Sequence, residues 1–376
     1  MRNDFMIRKV NRVIQDFLRP IRLGIGKMIW DRKEKKSLEL LQGDRVDMKK
    51  IKSILFLRYD GKIGDMVINT LLFREVKKVY PDIKIGVVGR GAAKDIIKFN
   101  PYVDEIYEYE KGKESSLGER VRAEGYDVVI DFSEMLRVNQ MKLINLCGGK
   151  INIGLDKEDW KLFDLSVAEN KDYKNTDHVT VRYGAYLKKL GIDSYKKQYD
   201  IYLEDSEEKI TELDSVGIVL NPYGASKHKH FNSETLRFII ESLNSIGRDA
   251  TLIYSPDKYV ELQNFVKNNS DLNVKLAENI KSILDSAKII KQSEGVITPD
   301  TSIVHIASVF NKKLISVYPP NGGKYGVDHL VWGPLDSENK MIFCQPASGV
   351  GEEIDINTFN KEEMKARIFK YWGECS

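Results

Sequence analysis

Ile54-Leu55-Phe56-Leu57-Arg58-Tyr59-Asp60-Gly61-Lys62-Ile63-Gly64-Asp65-Met66-Val67-Ile68-Asn69-Thr70 is the stretch that decides the fold. It opens as an apolar run, the pattern of a buried strand. Asp60-Gly61-Lys62-Ile63-Gly64 then breaks the run, and glycine both accepts positive φ and lets other groups approach the backbone. Beyond the break, Met66, Asn69, Thr70, Phe73 and Val76 recur at spacings of about three and four, which predicts a helix. A strand turning sharply into a helix is the repeating unit of an open parallel sheet, whose ligands bind at the carboxyl ends of the strands. Asp65 sits at that turn. Its carboxylate either caps the helix or faces a cleft and does chemistry, and this stretch alone leaves both readings open.

The same alternation runs outward from it. Strands are predicted at 54–57, 83–88, 105–109, 128–131 and 150–154, with helices at 65–79, 91–99, 116–124 and 136–147. A second set follows, with strands at 217–220, 250–254, 272–276, 295–298 and 314–317 and helices at 233–246, 257–268, 280–292 and 301–310. Strands alternating with helices imply parallel sheets covered on both faces. The chain therefore reads as α/β, two doubly wound domains in tandem, at 51–210 and 211–345. A length of 376 residues suits two such domains. Residues 346–376 form a tail with an amphipathic helix at 361–372.

Residues 1–50 are different. From Met1 to Lys36, eleven basic residues face four acids, a net of +7 in a chain of +3, so the remainder carries −4. Basic residues beside Phe and Trp suit a helix lying on an anionic membrane surface. The alternative is a helix packed on protein or on a second copy of the chain. The helical pattern kinks or restarts at Pro20, and residues 31–50 read as a charged linker. No apolar run approaches the ~18 residues that a membrane span requires, and no secretory leader is evident. Cys147, Cys344 and Cys375 are widely spaced, which fits a reducing cytoplasm and argues against a thiolate metal site. A net-acidic folded part disfavours nucleic acid. The absence of GxGxxG after the first strand of either half disfavours a nucleotide-dependent dehydrogenase.

Three clusters in the second half lie at strand ends. Asn221-Pro222-Tyr223-Gly224-Ala225-Ser226-Lys227-His228-Lys229-His230-Phe231 offers cations and free backbone amides for a phosphate, or is a solvated basic loop. Tyr254-Ser255-Pro256-Asp257 offers an acid for ribose hydroxyls, or an N-cap. Val296-Ile297-Thr298-Pro299-Asp300-Thr301-Ser302-Ile303-Val304-His305 reads as strand, turn and helix. Thr301 and Ser302 there leave open amides for a diphosphate. His305, one turn in, is either part of that site or structural.

Taken together these motifs resemble the bacterial lipopolysaccharide heptosyltransferases, glycosyltransferase family 9. The residues that carry the resemblance are Gly64-Asp65 in the opening stretch, Tyr80-Pro81-Asp82, Asn100-Pro101-Tyr102-Val103-Asp104, Lys229-His230-Phe231 and Thr298–His305. The likeness runs from about residue 52 to 335. It implies a GT-B glycosyltransferase, two Rossmann-like domains facing a cleft, which inverts the anomeric centre without a metal or cofactor. Asp65 then matches the family's base. Lys229, Asp257, Asp300, Thr301, Ser302 and His305 match its donor site, with ADP-heptose as donor and the lipopolysaccharide core as acceptor. Gly64 and Arg137 fall on the acceptor side; Arg90, Arg120, Arg122 and Lys142 are further basic residues of the first half available to an anionic, lipid-linked saccharide. The family works at the cytoplasmic face of the inner membrane. Alternatives are transfer of another nucleotide-sugar in surface polysaccharide synthesis, or a non-catalytic relative. Ser302 stands where the family usually has glycine, and Leu276-Ala277-Glu278-Asn279 lacks a glycine common in that loop.

Overall fold

The computed structural model describes residues 18–33, 37–204, 216–320, 326–335, 340–347 and 353–373. The opening stretch forms strand β1, Ser53–Arg58, and helix α2, Ile63–Val79, behind helix α1 at residues 18–30. All six residues of β1 are buried, as expected of a central strand covered on both faces. Gly61 makes the turn at φ +78°, a conformation that side chains disfavour.

Strands β2, Lys84–Gly89, β3, Glu105–Glu108, β4, Val128–Asp131, β5, Ile151–Leu155, and β6, Leu165–Val167, complete the first sheet. Its order is β3-β2-β1-β4-β5-β6 and every pairing is parallel. Helices α3, Ala92–Asp95, α4, Glu114–Glu124, α5, Val138–Cys147, and α6, Val179–Lys189, belong to this half. The second sheet holds β7, Ile218–Leu220, β8, Ala250–Leu252, β9, Val274–Leu276, β10, Gly295–Pro299, β11, Lys313–Tyr318, and β12, Met341–Phe343. Its order, β9-β8-β7-β10-β11-β12, repeats that of the first, again all parallel. Helices α7, Ser233–Asn244, α8, Tyr259–Asn268, α9, Ile283–Gln292, and α10, Ser302–Val309, alternate with its strands. The short α11, Asp328–Val331, follows β11, and α12, Lys361–Trp372, ends the described chain. Each sheet has one topological switch point, β1/β4 in the first and β7/β10 in the second, where a crevice opens at the strand ends.

The expected α/β architecture of two Rossmann-like sheets with an added N-terminal helix is what the structure shows. Sequence periodicity did not predict β6, β12 or α6. The two strands are three-residue edges, and α6 mixes Thr, Arg, Tyr and Lys among its apolar positions. The helix expected at 91–99 is only the four residues of α3. Residues 37–50, read as a linker, instead fold onto the first sheet's layer. Val46 and Met48 are buried, Arg45 bonds Asp193 at 2.9 and 3.0 Å, and Lys189 reaches Asp44 at 3.2 Å. Buried apolar residues alternate there with charged ones, so average composition hides them. The first part of the expected amphipathic helix falls on residues 1–17, outside the described residues.

Helix α1 packs one side on α5. A Cβ built on Gly26 would lie 2.6 Å from Val138, and Asn145 Nδ2 donates to the Trp30 and Arg32 carbonyls at 3.3 and 2.7 Å. Ile21, Ile25, Met28 and Ile29 lie on the other side and are exposed. The final helix packs on the second sheet: Lys313 Nζ reaches the Tyr371 carbonyl at 2.6 Å, and Trp372 is buried beside Gly295.

Candidate active site

The first switch point carries a guanidinium with every nitrogen engaged, and a carboxylate. Arg58 ends β1 and is buried. Its Nε donates to Asn69 Oδ1 at 2.7 Å, its Nη1 to Asp65 at 3.0 Å and Asp60 at 3.1 Å, and its Nη2 to the Tyr183 hydroxyl. Asp65 lies in the first turn of α2 and does not cap it. The N-cap is Lys62, with no side-chain cap bond. The capping alternative therefore gives way to a carboxylate that is held by Arg58 and faces an opening. Burial pushes the Asp65 carboxyl above the usual aspartate range; Arg58 opposes that and Asp60 adds to it.

That opening is a cavity of about 850 Å³ between the two sheets' layers. Arg58, Asp65, Glu134, Tyr173 and Arg182 line it from the first half, and Asp328 and Trp332 from the second. Arg137 lines it too, exposed at the N-cap of α5. Arg120 and Lys142, also expected on the acceptor side, do not: they lie over the rings of Tyr107 and Trp30. Arg122 flanks Gly148, and Arg90 sits beside Gly61.

The second switch point does not itself line that cavity; it stands next to Asp328, which does. Lys229 pairs with the Asp300 carboxylate, and Asn221 Nδ2 ties the β7 end to Thr298 Oγ1 at 2.9 Å. Thr301 is the N-cap of α10 and makes no side-chain cap bond, so the first amides of that helix have no side-chain acceptor. Asp328 joins the halves electrostatically. Burial raises its pKa, Lys229 lowers it, and Asp300 and Glu134 raise it further. Asp257 is exposed after β8 and accepts the Ser255 hydroxyl at 2.6 Å; α8 is capped at Lys258, so Asp257 is not its N-cap. Asn279 adopts φ +57°, supplying the left-handed turn in the loop that lacks a glycine.

His305 and Gly64 stand elsewhere than expected. The His305 ring is buried, 6.0 Å from the Tyr199 ring, and its Cδ2 would lie 2.8 Å from a Cβ on Gly64. Ser302 Cα would be 3.5 Å from the same Cβ. The absence of a side chain at Gly64 thus lets α2 and α10 meet, and His305 fills the seam between the halves rather than the open cavity. Burial, with His178 adding, drives its pKa down to about 3. Its Nδ1 has no hydrogen-bond partner among the described residues.

Sequence reasoning missed Arg58, Glu134, Tyr173, Arg182 and Asp328. Only Arg58 left a signal, as a charge closing an otherwise apolar run just before Asp65.

A family model described as glycosyltransferase family 9 (heptosyltransferase) matches residues 115–348, more than half of the chain. Lipopolysaccharide heptosyltransferase 3 of Escherichia coli is 24% identical over 304 residues, covering 74% of this chain and 85% of that protein. Among solved structures, E. coli ADP-heptose lipopolysaccharide heptosyltransferase II matches with TM-score 0.62 at 17% identity, over 85% of this chain and 99% of that one. E. coli heptosyltransferase WaaC with ADP matches with TM-score 0.63 at 14% identity, over 85% and 99%. At these identities the solved structures establish the shared GT-B fold.

Proposed function

The chain belongs to glycosyltransferase family 9, and from that premise we propose that it transfers a heptose from ADP-heptose to the lipopolysaccharide core, inverting the anomeric centre without a metal. One observation carries the reading: the Asp65 carboxylate lines a cavity that Asp328 lines from the other half, and Asp328 lies within electrostatic reach of the Lys229–Asp300 pair. The reaction is a single displacement. Asp65 takes the proton of the acceptor hydroxyl, whose oxygen bonds the anomeric carbon as the carbon–oxygen bond to the diphosphate breaks. Lys229 and the open amides of Thr301-Ser302 at the start of α10 take the charge of the departing ADP. Asp257, exposed beyond β8, takes the ribose hydroxyls of the donor in this reading. The relatives' names motivate the donor and acceptor.

The acceptor is a lipid-linked anionic saccharide, and the enzyme meets it at the cytoplasmic face of the inner membrane. The exposed apolar side of α1, flanked by Arg19, Arg22 and Lys27, supports a peripheral attachment. No helix among the described residues is long and apolar enough to cross a membrane.

Thermal-shift titration with ADP-heptose, UDP-sugars and GDP-sugars tests the donor. Selective stabilisation by ADP-heptose is expected, and stabilisation by a UDP- or GDP-sugar instead reassigns the enzyme to another surface polysaccharide. Lys229→Ala serves as the site control and weakens ADP binding.

A further inference from the structure

Arg182 projects from α6 into the wall of the cavity, with its side chain only 8% exposed. Its Nη1 donates to Glu134 Oε1 at 2.8 Å, and its guanidinium lies 4.9 Å over the Tyr173 ring. Its Nε is buried without a hydrogen-bond partner among the described residues. A buried guanidinium with an idle nitrogen is costly, because five donors have been taken from water and few acceptors returned. The other cations of the cavity differ. Every nitrogen of Arg58 is engaged, while Arg137 and Lys62 reach solvent.

The acid that Arg182 does hold is weakly committed. The Glu134 side chain is 66% exposed, so it can swing away at little cost. Around the cavity, six carboxylates outnumber four basic side chains. Overall charge therefore draws in no anion, and a negatively charged ligand needs a directed contact. A planar fork backed by an aromatic ring is such a contact for a paired oxyanion.

Resting on the reading of Asp65 as the base, we infer that Arg182 is the specificity contact of the acceptor subsite, taking a carboxylate or phosphate of the acceptor saccharide at the Nη1 position that Glu134 vacates. Glu134 is the placeholder that occupies the guanidinium while the subsite is empty.

The test uses the full chain and small probes: glucuronate, glucose 6-phosphate and neutral glucose, with binding followed by ligand-observed NMR. Wild type binds at least one anionic probe more tightly than glucose, and which one it prefers separates carboxylate from phosphate. Arg182→Gln weakens that probe by at least about tenfold, Arg182→Lys by less. Glu134→Gln tightens it several-fold, and neither change moves glucose. A merely structural role for Arg182 would not produce the Glu134→Gln gain. Equal anion binding in folded Arg182→Gln, or no tightening in Glu134→Gln, overturns the assignment. Should Arg182→Gln fail to fold, the Glu134→Gln result decides alone. Parallel ADP titrations keep the two readings apart: failure of wild type to bind ADP sinks the transferase mechanism, whereas anion results alone judge Arg182.

Discussion

The base proposed here, Asp65, would take its reactivity from its surroundings. A carboxylate on a solvated helix end is a weak base; one that is buried and next to Asp60 is shifted upward, against the pull of Arg58, toward the working pH. Asp65→Asn keeps the shape and removes the base, so transfer should fall by about 10²–10⁴-fold while ADP affinity stays level, checked by initial rates and calorimetry. The acid limb of kcat/KM should also lie above the usual aspartate pKa, because falling pH protonates a carboxyl whose pKa is raised. A limb near the ordinary 3.8 would show that Asp65 is not the titrating base. Asp65 was legible because a glycine-broken strand end is a local signal. Arg182 was not, because its partner Glu134 is 48 residues away in sequence and only the fold brings them together.

Among the elements, α1 and the α2–α10 seam each make a sharp expectation. Ile21, Ile25, Met28 and Ile29 recur along one side of α1 while its other side is fixed to α5. Ile25→Asp or Met28→Asp should lower partition onto anionic vesicles and leave the melting temperature unchanged, since neither side chain is in the core. Unaltered partition would remove the membrane role. Gly64→Ala forces a methyl against the His305 ring, and overpacking of this kind costs about 1–3 kcal/mol. Denaturant titration should show that loss, together with slower transfer; a neutral result would mean the helices separate freely. Long elements such as β1 and α2 were readable from periodicity alone. Edge strands β6 and β12, three residues each, were not read from the sequence, and each is held by the hydrogen bonds of one neighbouring strand.

At the scale of the molecule, one sheet order appears twice, and sequence alternation alone predicted the pair of domains but not the strand order within them. Which faces would meet was also hidden, because contact between the halves depends on a missing side chain at Gly64 and a buried imidazole. That imidazole should make stability depend on pH. Its pKa drops from 6.5 to about 3 on folding, so the unfolded chain binds a proton that the folded one refuses. The stabilising contribution is full above pH 6.5 and is lost as pH falls toward 3, at about 1.4 kcal/mol per unit. His305→Gln should flatten that part of the curve in urea unfolding, and parallel curves would mean His305 is protonated in the native protein.

The seam where Gly64 meets His305 lies one residue from Asp65 and beside the start of α10, so it is the point of tightest approach between the halves and sits next to the proposed reacting groups. A rotation pivoting there would swing the distant lips of the gap widely while barely altering the distance from Asp65 to the first turn of α10.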